Sequence, residues 1–321
     1  MRVIPIAEYH NIAEFQKPKK ETLKISKYNQ YLYDYKSRQA EFEHMVDKIV
    51  NGDCIEVLQQ FPDSIIDTVI TSPPYNDQRA YKGYSKNFEF ESIAHQLYRV
   101  LKPGGVLVWV VGDSVSPRRY GETLIPLRQA LYFKDVCGFI MHDTMIYEKN
   151  CFSFPSSRGE NRYHQIFEYM FVFSKLVKPK TFNPIINDNV KRIENRKHSI
   201  HRQRDDSLKK VKRNNSSGGN LGMKTNIWKY NTGGYGTSSK FRDAYKHPAI
   251  FPEQLAVDHI LSWSNEGDIV LDPMCGSGTT PAMAKKLNRH FIGIDICEEY
   301  CEIASRRLAE LYKGGQYDES R

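Results

Sequence analysis

Two short stretches of this sequence carry residue types that do chemistry. The first is Thr71-Ser72-Pro73-Pro74-Tyr75. Ser72 offers a hydroxyl and Tyr75 a flat ring. The two prolines have no N–H to donate, so the carbonyls of Ser72 and Pro73 are left without ladder partners. A stiff loop with acceptors and a stacking face suits a planar ring bearing an exocyclic amino group. Read alone, the pentapeptide is equally a plain double-proline turn. The second stretch is Asp272-Pro273-Met274-Cys275-Gly276-Ser277-Gly278-Thr279-Thr280, with Asp295 standing 23 residues after Asp272. Gly276 and Gly278 let the backbone pass close to a ligand, and Thr279 is placed to cap a helix. Asp295 lies near the ~20-residue spacing expected of a ribose-binding carboxylate.

The details of the second stretch argue against a dinucleotide. The third glycine of G-x-G-x-x-G would fall at Pro281, and a carboxylate at Asp272 would repel a pyrophosphate. A carboxylate at that strand tip suits a cationic group instead, such as the amino group or sulfonium of S-adenosylmethionine.

Both stretches need a sheet to present them. Ile65–Ile70 is a β-branched run that reads as a buried parallel strand, and the prolines throw the chain off its carboxyl end, where open α/β folds bind ligands. Asp268–Leu271 and Phe291–Ile294 read as the strands on either side of the glycine loop, with helices to Leu287 and over Glu298–Leu311. Val46–Val50 and the uniformly apolar Val106–Val111 add further strands. Phe139–Tyr147 and Ile166–Phe173 read as an antiparallel pair closing the sheet, joined by the polar loop Asn150–His164. Ile93, Leu97, Val100 and Leu101 share one face of a helix over Phe90–Leu101, stopped by Lys102-Pro103-Gly104-Gly105.

Charge is distributed unevenly. The 321 residues carry a net +8, and residues 178–246 hold 17 Lys+Arg against 5 Asp+Glu, a net of +12 that leaves −4 for the remainder. A segment so basic, rich in Asn, Ser and Gly, is either a disordered linker or a nucleic-acid-binding insertion that neutralises phosphates. Arg192, Arg196, Lys197, Arg202, Arg204, Lys212 and Arg213 within it are the candidate contacts, with Arg79, Arg158 and Arg162 outside it. The six cysteines show no zinc-ligand spacing and suggest reduced thiols in a cytoplasm. No signal-peptide pattern and no apolar run near the ~20 residues of a membrane helix is present.

Taken together, these stretches resemble the amino-group DNA methyltransferases of the β arrangement, in which the catalytic loop precedes the cofactor loop. Thr71–Tyr75 is similar to their catalytic motif, in its Ser-Pro-Pro-Tyr rather than Asp-Pro-Pro-Tyr form. Asp272–Thr280 is similar to their cofactor loop, and Asp295 with Ile296 to their ribose-binding acid. His247-Pro248-Ala249-Ile250-Phe251-Pro252-Glu253 resembles the His-Pro-x-x-(Lys/Phe)-Pro-Glu stretch ahead of that loop. Thr225-Asn226-Ile227-Trp228 resembles the short segment before it, and Asn51-Gly52-Asp53-Cys54 the element that cradles the cofactor's adenine.

The resemblance covers residues 46–311 apart from the basic insertion, which lies where these enzymes carry target recognition. It implies an α/β, Rossmann-like S-adenosylmethionine-dependent methyltransferase fold: a mostly parallel sheet with an antiparallel edge and circularly permuted motifs. The expected division is a polar arm (1–45), a catalytic half (46–177), the recognition insertion (178–246) and a cofactor half (247–321). Asp53, Cys54, Thr71, Asn226, Trp228, His247, Phe251, Pro252, the whole loop from Asp272 to Thr280, Asp295 and Ile296 are expected around S-adenosylmethionine. Ser72, Pro73, Pro74 and Tyr75 are expected around the base.

The reaction so implied moves a methyl group to the N4 amine of a cytosine flipped out of duplex DNA, without a metal. Among the family, Ser at this position goes mainly with cytosine N4 and Asp with adenine N6. A neutral hydroxyl accepts from either amine, so adenine N6 stays open, as do RNA and protein-amide substrates. Carbon-5 chemistry is disfavoured because no Pro-Cys dipeptide occurs. Whether a cognate restriction endonuclease accompanies the enzyme is not readable from the sequence, and neither is the oligomeric state.

Overall fold

Val106–Val111 is apolar at every position because both faces of its strand are covered. Val106, Val108 and Val110 pack on one side of the sheet, and Leu107, Trp109 and Val111 on the other. The computed structural model describes residues 37–74, 88–115, 121–150, 162–187, 198–212, 222–231 and 241–313.

A helix through residues 37–45 (α1) leads into β1 (Lys48–Asn51), α2 (Cys54–Gln59), β2 (Ile66–Thr71), α3 (Phe90–Val100) and β3 (Leu101–Val111). Then come α4 (Ile125–Asp135), β4 (Phe139–Lys149) and β5 (Phe167–Lys175). The basic segment contributes β6 (Ile186–Asn187), β7 (His198–Arg202), β8 (Leu208–Lys212), β9 (Gly222–Met223) and β10 (Ile227–Tyr230). A 3-10 helix (Arg242–Lys246), α5 (Glu253–Trp263), β11 (Ile269–Asp272), α6 (Thr279–Lys286), β12 (His290–Asp295) and α7 (Glu298–Lys313) complete the described chain.

Eight strands form the main sheet in the order β1-β12-β11-β2-β3-β5-β4-β10. Only β5 runs antiparallel to its neighbours, β3 and β4; every other pairing in this sheet is parallel. Helices α1 to α4 bury their apolar residues on one face, and α5, α6 and part of α7 on the other. The pairing that matters for function is β2 with β11, in register at Thr68–Val270 and Val69–Leu271. Thr71 and Asp272, 201 positions apart in sequence, therefore leave the same end of the sheet from adjacent strands.

Four features depart from the sequence reading. A boundary after residue 45 cuts off α1, whose Phe42 is buried edge-on against Phe61 with ring centroids 5.0 Å apart. The antiparallel pair does not end the sheet, because β10 adds in parallel outside β4 and buries Trp228 and Tyr230 on alternate positions. A boundary at 246 therefore assigns a strand of the main sheet to the insertion. Helix α4 has no counterpart in the sequence reading. It begins at Leu124 in a left-handed conformation without a side-chain cap, and carries apolar residues on its buried and exposed sides alike.

Candidate active site

The proline loop begins where β2 ends. Thr71 is buried there, and its hydroxyl donates to Asp272 Oδ1 across the adjacent strand tip at 2.7 Å. The N–H of Met274 donates to the same oxygen at 3.2 Å. Ser72 follows at the rim, half-buried, with Pro73 buried and Pro74 half-buried. Tyr75 lies outside the described residues. Asp272 has no cationic side chain paired with it among the described residues, and burial pushes its carboxyl up to about 7 despite the Thr71 and Met274 bonds. Such a carboxyl lacks a counter-charge.

The glycine loop is shaped by close approach. Gly276 and Gly278 sit at φ +50° and +74°. A Cβ on Gly276 would lie 2.7 Å from His247 Nε2, and one on Gly278 would lie 2.6 Å from Ala304 Cβ. Gly278, not Thr279, is the N-cap of α6. The Thr279 hydroxyl instead accepts from Arg307 at 2.8 Å. Pro281 needs no glycine at its own position because Gly293 on β12 yields the space: a Cβ there would meet Pro281 Cγ at 2.8 Å.

Asp295 holds this loop from below. Its carboxylate accepts from the N–H groups of Gly276 (2.8 Å) and Cys297 (2.9 Å). Burial raises its pKa, and those two bonds oppose the rise. The Asp295 carbonyl in turn accepts from the Gly52 N–H at 3.0 Å and Asn51 Nδ2 at 3.1 Å. This brings the Asn51–Cys54 element to the acid. Asp53 caps α2 by accepting from the N–H groups of Ile55 (2.7 Å) and Glu56 (3.4 Å). The Cys54 thiol, pushed up to about 12 by burial and then by Asp53, stays protonated.

His247 packs its ring edge-on to Tyr300, 4.4 Å between centroids, above Gly276. Pro252 is the buried N-cap of α5 and Phe251 packs on the core beside it. Ile296 is 47% exposed next to Asp295, free to cover a ligand. Asn226 and Trp228 are the correction. They lie on or beside β10, five strands away from β11 across the sheet. Asn226 donates to the Thr144 carbonyl, and Trp228 stacks on His259 at 4.7 Å with Lys224 over its ring. Both hold the sheet edge and neither reaches the glycine loop.

Of the candidate phosphate contacts, Arg79, Arg158, Arg192, Arg196, Lys197 and Arg213 lie outside the described residues. Lys212 ends β8. Arg202 pairs with Asp206 at 2.6 Å on an exposed turn that also carries Arg204, and Arg162 is exposed.

The sequence reading missed a buried ion pair. Arg307, 3% exposed, bonds Glu253 at 2.6 Å and also donates to the Ser277 carbonyl at 3.2 Å. It thereby ties α5 and α7 to the glycine loop. The available signal was a cation on the apolar stripe of α7, between buried Ile303, Ala304 and Leu308.

A sequence model of the N6_N4_Mtase family, described as DNA methylase, matches residues 66–306. The chain is 52% identical over 250 residues to the orphan methyltransferase M.BamHII of Bacillus amyloliquefaciens, covering 77% of this chain and 89% of that protein. It is 31% identical over 278 residues to the type II methyltransferase M.BglII of Bacillus subtilis, covering 82% and 69%. Among solved structures, the PvuII DNA methyltransferase (cytosine-N4-specific) shares the fold, with a TM-score of 0.60 at 21% identity over 85% of this chain and 87% of that one. M1.HpyAVI in complex with SAM gives a TM-score of 0.52 at 25% identity over 81% and 98%. With its proline and glycine loops side by side at the carboxyl ends of adjacent strands, the chain belongs to the N6/N4 family of DNA methylases.

Proposed function

We propose that this enzyme transfers a methyl group from S-adenosylmethionine to the N4 amine of a cytosine in double-stranded DNA. The observation that carries this reading is the hydrogen bond between Thr71 and Asp272, which sets the Ser72 tip against the glycine loop.

The donor set fits the cofactor. The uncompensated carboxyl of Asp272 suits a cationic ligand, and the tip of β12 at Asp295, with Asn51 and Asp53 beside it, suits a nucleoside. When bound, S-adenosylmethionine supplies an electrophilic methyl carbon on a sulfonium. Asp272 is the counter-charge for its cationic end; Asp295 and Ile296 serve the ribose and the adenine edge.

Ser72 and the Pro73 carbonyl act on the base. An exocyclic amine is a poor nucleophile because its lone pair is delocalised into the ring. Acceptance of its two N–H bonds by the Ser72 hydroxyl and the Pro73 carbonyl draws the nitrogen toward tetrahedral geometry and frees the pair. As the new N–C bond would form, the methyl–sulfonium bond would break with its electron pair going to sulfur, and the amine's surplus proton would leave along the Ser72 hydrogen bond toward solvent. The base has to leave the duplex to reach this rim, and most of the rate comes from positioning. The hydroxyl at position 72 favours cytosine N4 over adenine N6 within this family.

The test is to treat DNA with the enzyme and cofactor, digest it and identify the modified nucleoside by mass spectrometry. N4-methylcytosine supports the reading. N6-methyladenine overturns the choice of base, and an unmodified digest overturns the substrate.

A further inference from the structure

We infer that Asp258 is a positioning residue for methyl transfer: by gripping Lys224 and Tyr230 it holds the basic insertion in a fixed orientation to the proline and glycine loops. The inference rests on duplex DNA being the substrate and on the insertion contacting it.

The insertion enters and leaves over one helix. On the way in, the Asn183 N–H donates to the Ser262 carbonyl at 2.9 Å and its side-chain amide to the Leu261 carbonyl at 3.0 Å. Phe182 lies on Trp263, with ring centroids 5.2 Å apart. On the way out, Lys224 Nζ and the Tyr230 hydroxyl both donate to Asp258 Oδ2 at 2.6 Å. The two passages are also joined to each other. β6 pairs with β9 at Ile186–Met223 and Asn187–Gly222, and the Lys224 N–H donates to the Ile185 carbonyl at 2.8 Å. Asp258, Leu261, Ser262 and Trp263 all belong to α5, so both strands of this stem are seated on that helix.

Helix α5 is in turn bonded to the supports of both loops. The Trp263 carbonyl accepts from the Thr68 hydroxyl at 2.9 Å, on the strand that ends at Thr71. Glu253 in the first turn pairs with Arg307, which donates to the Ser277 carbonyl of the glycine loop. The seating of the stem on α5 therefore sets the orientation of the insertion to both loops.

Stability alone does not account for a charge at this place. Asp258 is 6% exposed, on a helix that also buries Leu255, Ala256 and Ile260. Desolvation offsets much of the attraction in a buried ion pair, and apolar residues of similar volume often replace one without loss of stability. What apolar residues lack is direction. Asp258 Oδ1 accepts from Gln254 at 2.7 Å while Oδ2 accepts from Lys224 and Tyr230. Lys224 Nζ is further held 4.3 Å over the Trp228 ring. Burial and then the neighbouring carboxylate raise the Tyr230 phenol above its ordinary value, which keeps it a donor.

The experiment compares the wild-type chain with Lys224→Met/Tyr230→Phe/Asp258→Leu, which exchanges the network for apolar groups of similar size. The target duplex is first mapped by sequencing DNA modified in cells. The urea midpoint, the Kd values of S-adenosylmethionine and of that duplex, and the single-turnover rate of methyl transfer are then measured. An unchanged midpoint, unchanged Kd values and a rate lowered about 10- to 100-fold are expected, as misplacement of bound reactants produces. A wild-type rate in the variant makes the network packing only and overturns the proposal. Loss of duplex affinity with the rate kept overturns it too. If the triple variant is less stable than the wild type, Lys224→Met and Lys224→Arg decide. Met lowering the rate with both affinities intact and Arg restoring it supports the proposal, and equal rates overturn it. A wild type that modifies no DNA refutes the substrate reading, whereas an active wild type with indifferent variants refutes this inference alone.

Discussion

The Thr71 hydroxyl donates to Asp272 Oδ1 at 2.7 Å, joining the residue before Ser72 to the first residue of the glycine loop. Both side chains are almost wholly buried, and the bond gives the hydroxyl its acceptor and the carboxyl one of its donors. Removing the donor leaves a buried carboxyl short of a partner, a loss of about 1.5–3 kcal/mol for a bond to a charged group. Thr71→Val is expected to weaken S-adenosylmethionine binding roughly tenfold in calorimetry, and Thr71→Ser to restore it. Equal behaviour of the two variants would remove the hydroxyl from the account.

The same carboxyl gives the protein a pH signature. Asp272 has its pKa raised from the ordinary carboxylate range to about 7 in the folded, ligand-free chain. The folded state then holds a proton that the unfolded state has lost. On this group's account the ligand-free protein is stabilised at acid pH and loses that contribution as pH rises from about 4 through about 7. A cationic ligand wants the ionised form, so its affinity should rise roughly tenfold from pH 6 to pH 7.5. Asp272→Asn should bind weakly with a flat profile. A wild-type affinity that falls over that interval contradicts the assignment.

On the proposed reading Ser72 serves the base and Asp295 the cofactor, so the two should separate kinetically. Ser72→Ala is expected to lower kcat about 100-fold or more, as loss of a proton-accepting group does, with cofactor Kd unchanged. Asp295→Ala should weaken cofactor binding about 10- to 100-fold, since its carboxylate shapes the loop through Gly276 and Cys297. The reverse pattern would exchange the two sites.

Arg307 is buried behind the glycine loop with Glu253 as its partner. Glu253→Ala leaves the guanidinium without its counter-charge, with the Ser277 carbonyl and Thr279 hydroxyl still accepting from it, and breaking a buried pair from one side costs about 3 kcal/mol. A lower urea midpoint is the expected outcome, with Glu253→Gln, which keeps an acceptor, intermediate. A Glu253→Ala protein as stable as the wild type would show that the pair is structurally idle.

Much of the site was legible because local chemistry dictates it. An apolar β-branched run stopped by two prolines can only be a strand that ends in a rigid loop. Paired glycines before a helix, with an acid at the next strand tip, likewise mark a tightly packed loop, as Gly276 and Gly278 form. What failed was anything set by strand order. Trp228 and Asn226 precede the glycine loop in sequence, yet the long basic segment delivers them to the opposite edge, beside β4. Arg307 was invisible for another reason: its partner Glu253 is 54 residues away, and no periodicity encodes such a pair. The α4 helix lacked both a cap and a one-sided apolar stripe.

The most direct test of the whole account is a crystal structure with S-adenosylmethionine bound. The methyl carbon should face Ser72 Oγ across a gap that holds one amine nitrogen, roughly 3 Å from each. Asp272 should lie at the cationic end and Asp295 at the ribose. A cofactor bound with its methyl group turned away from Ser72, or seated on another edge of the sheet, would contradict it.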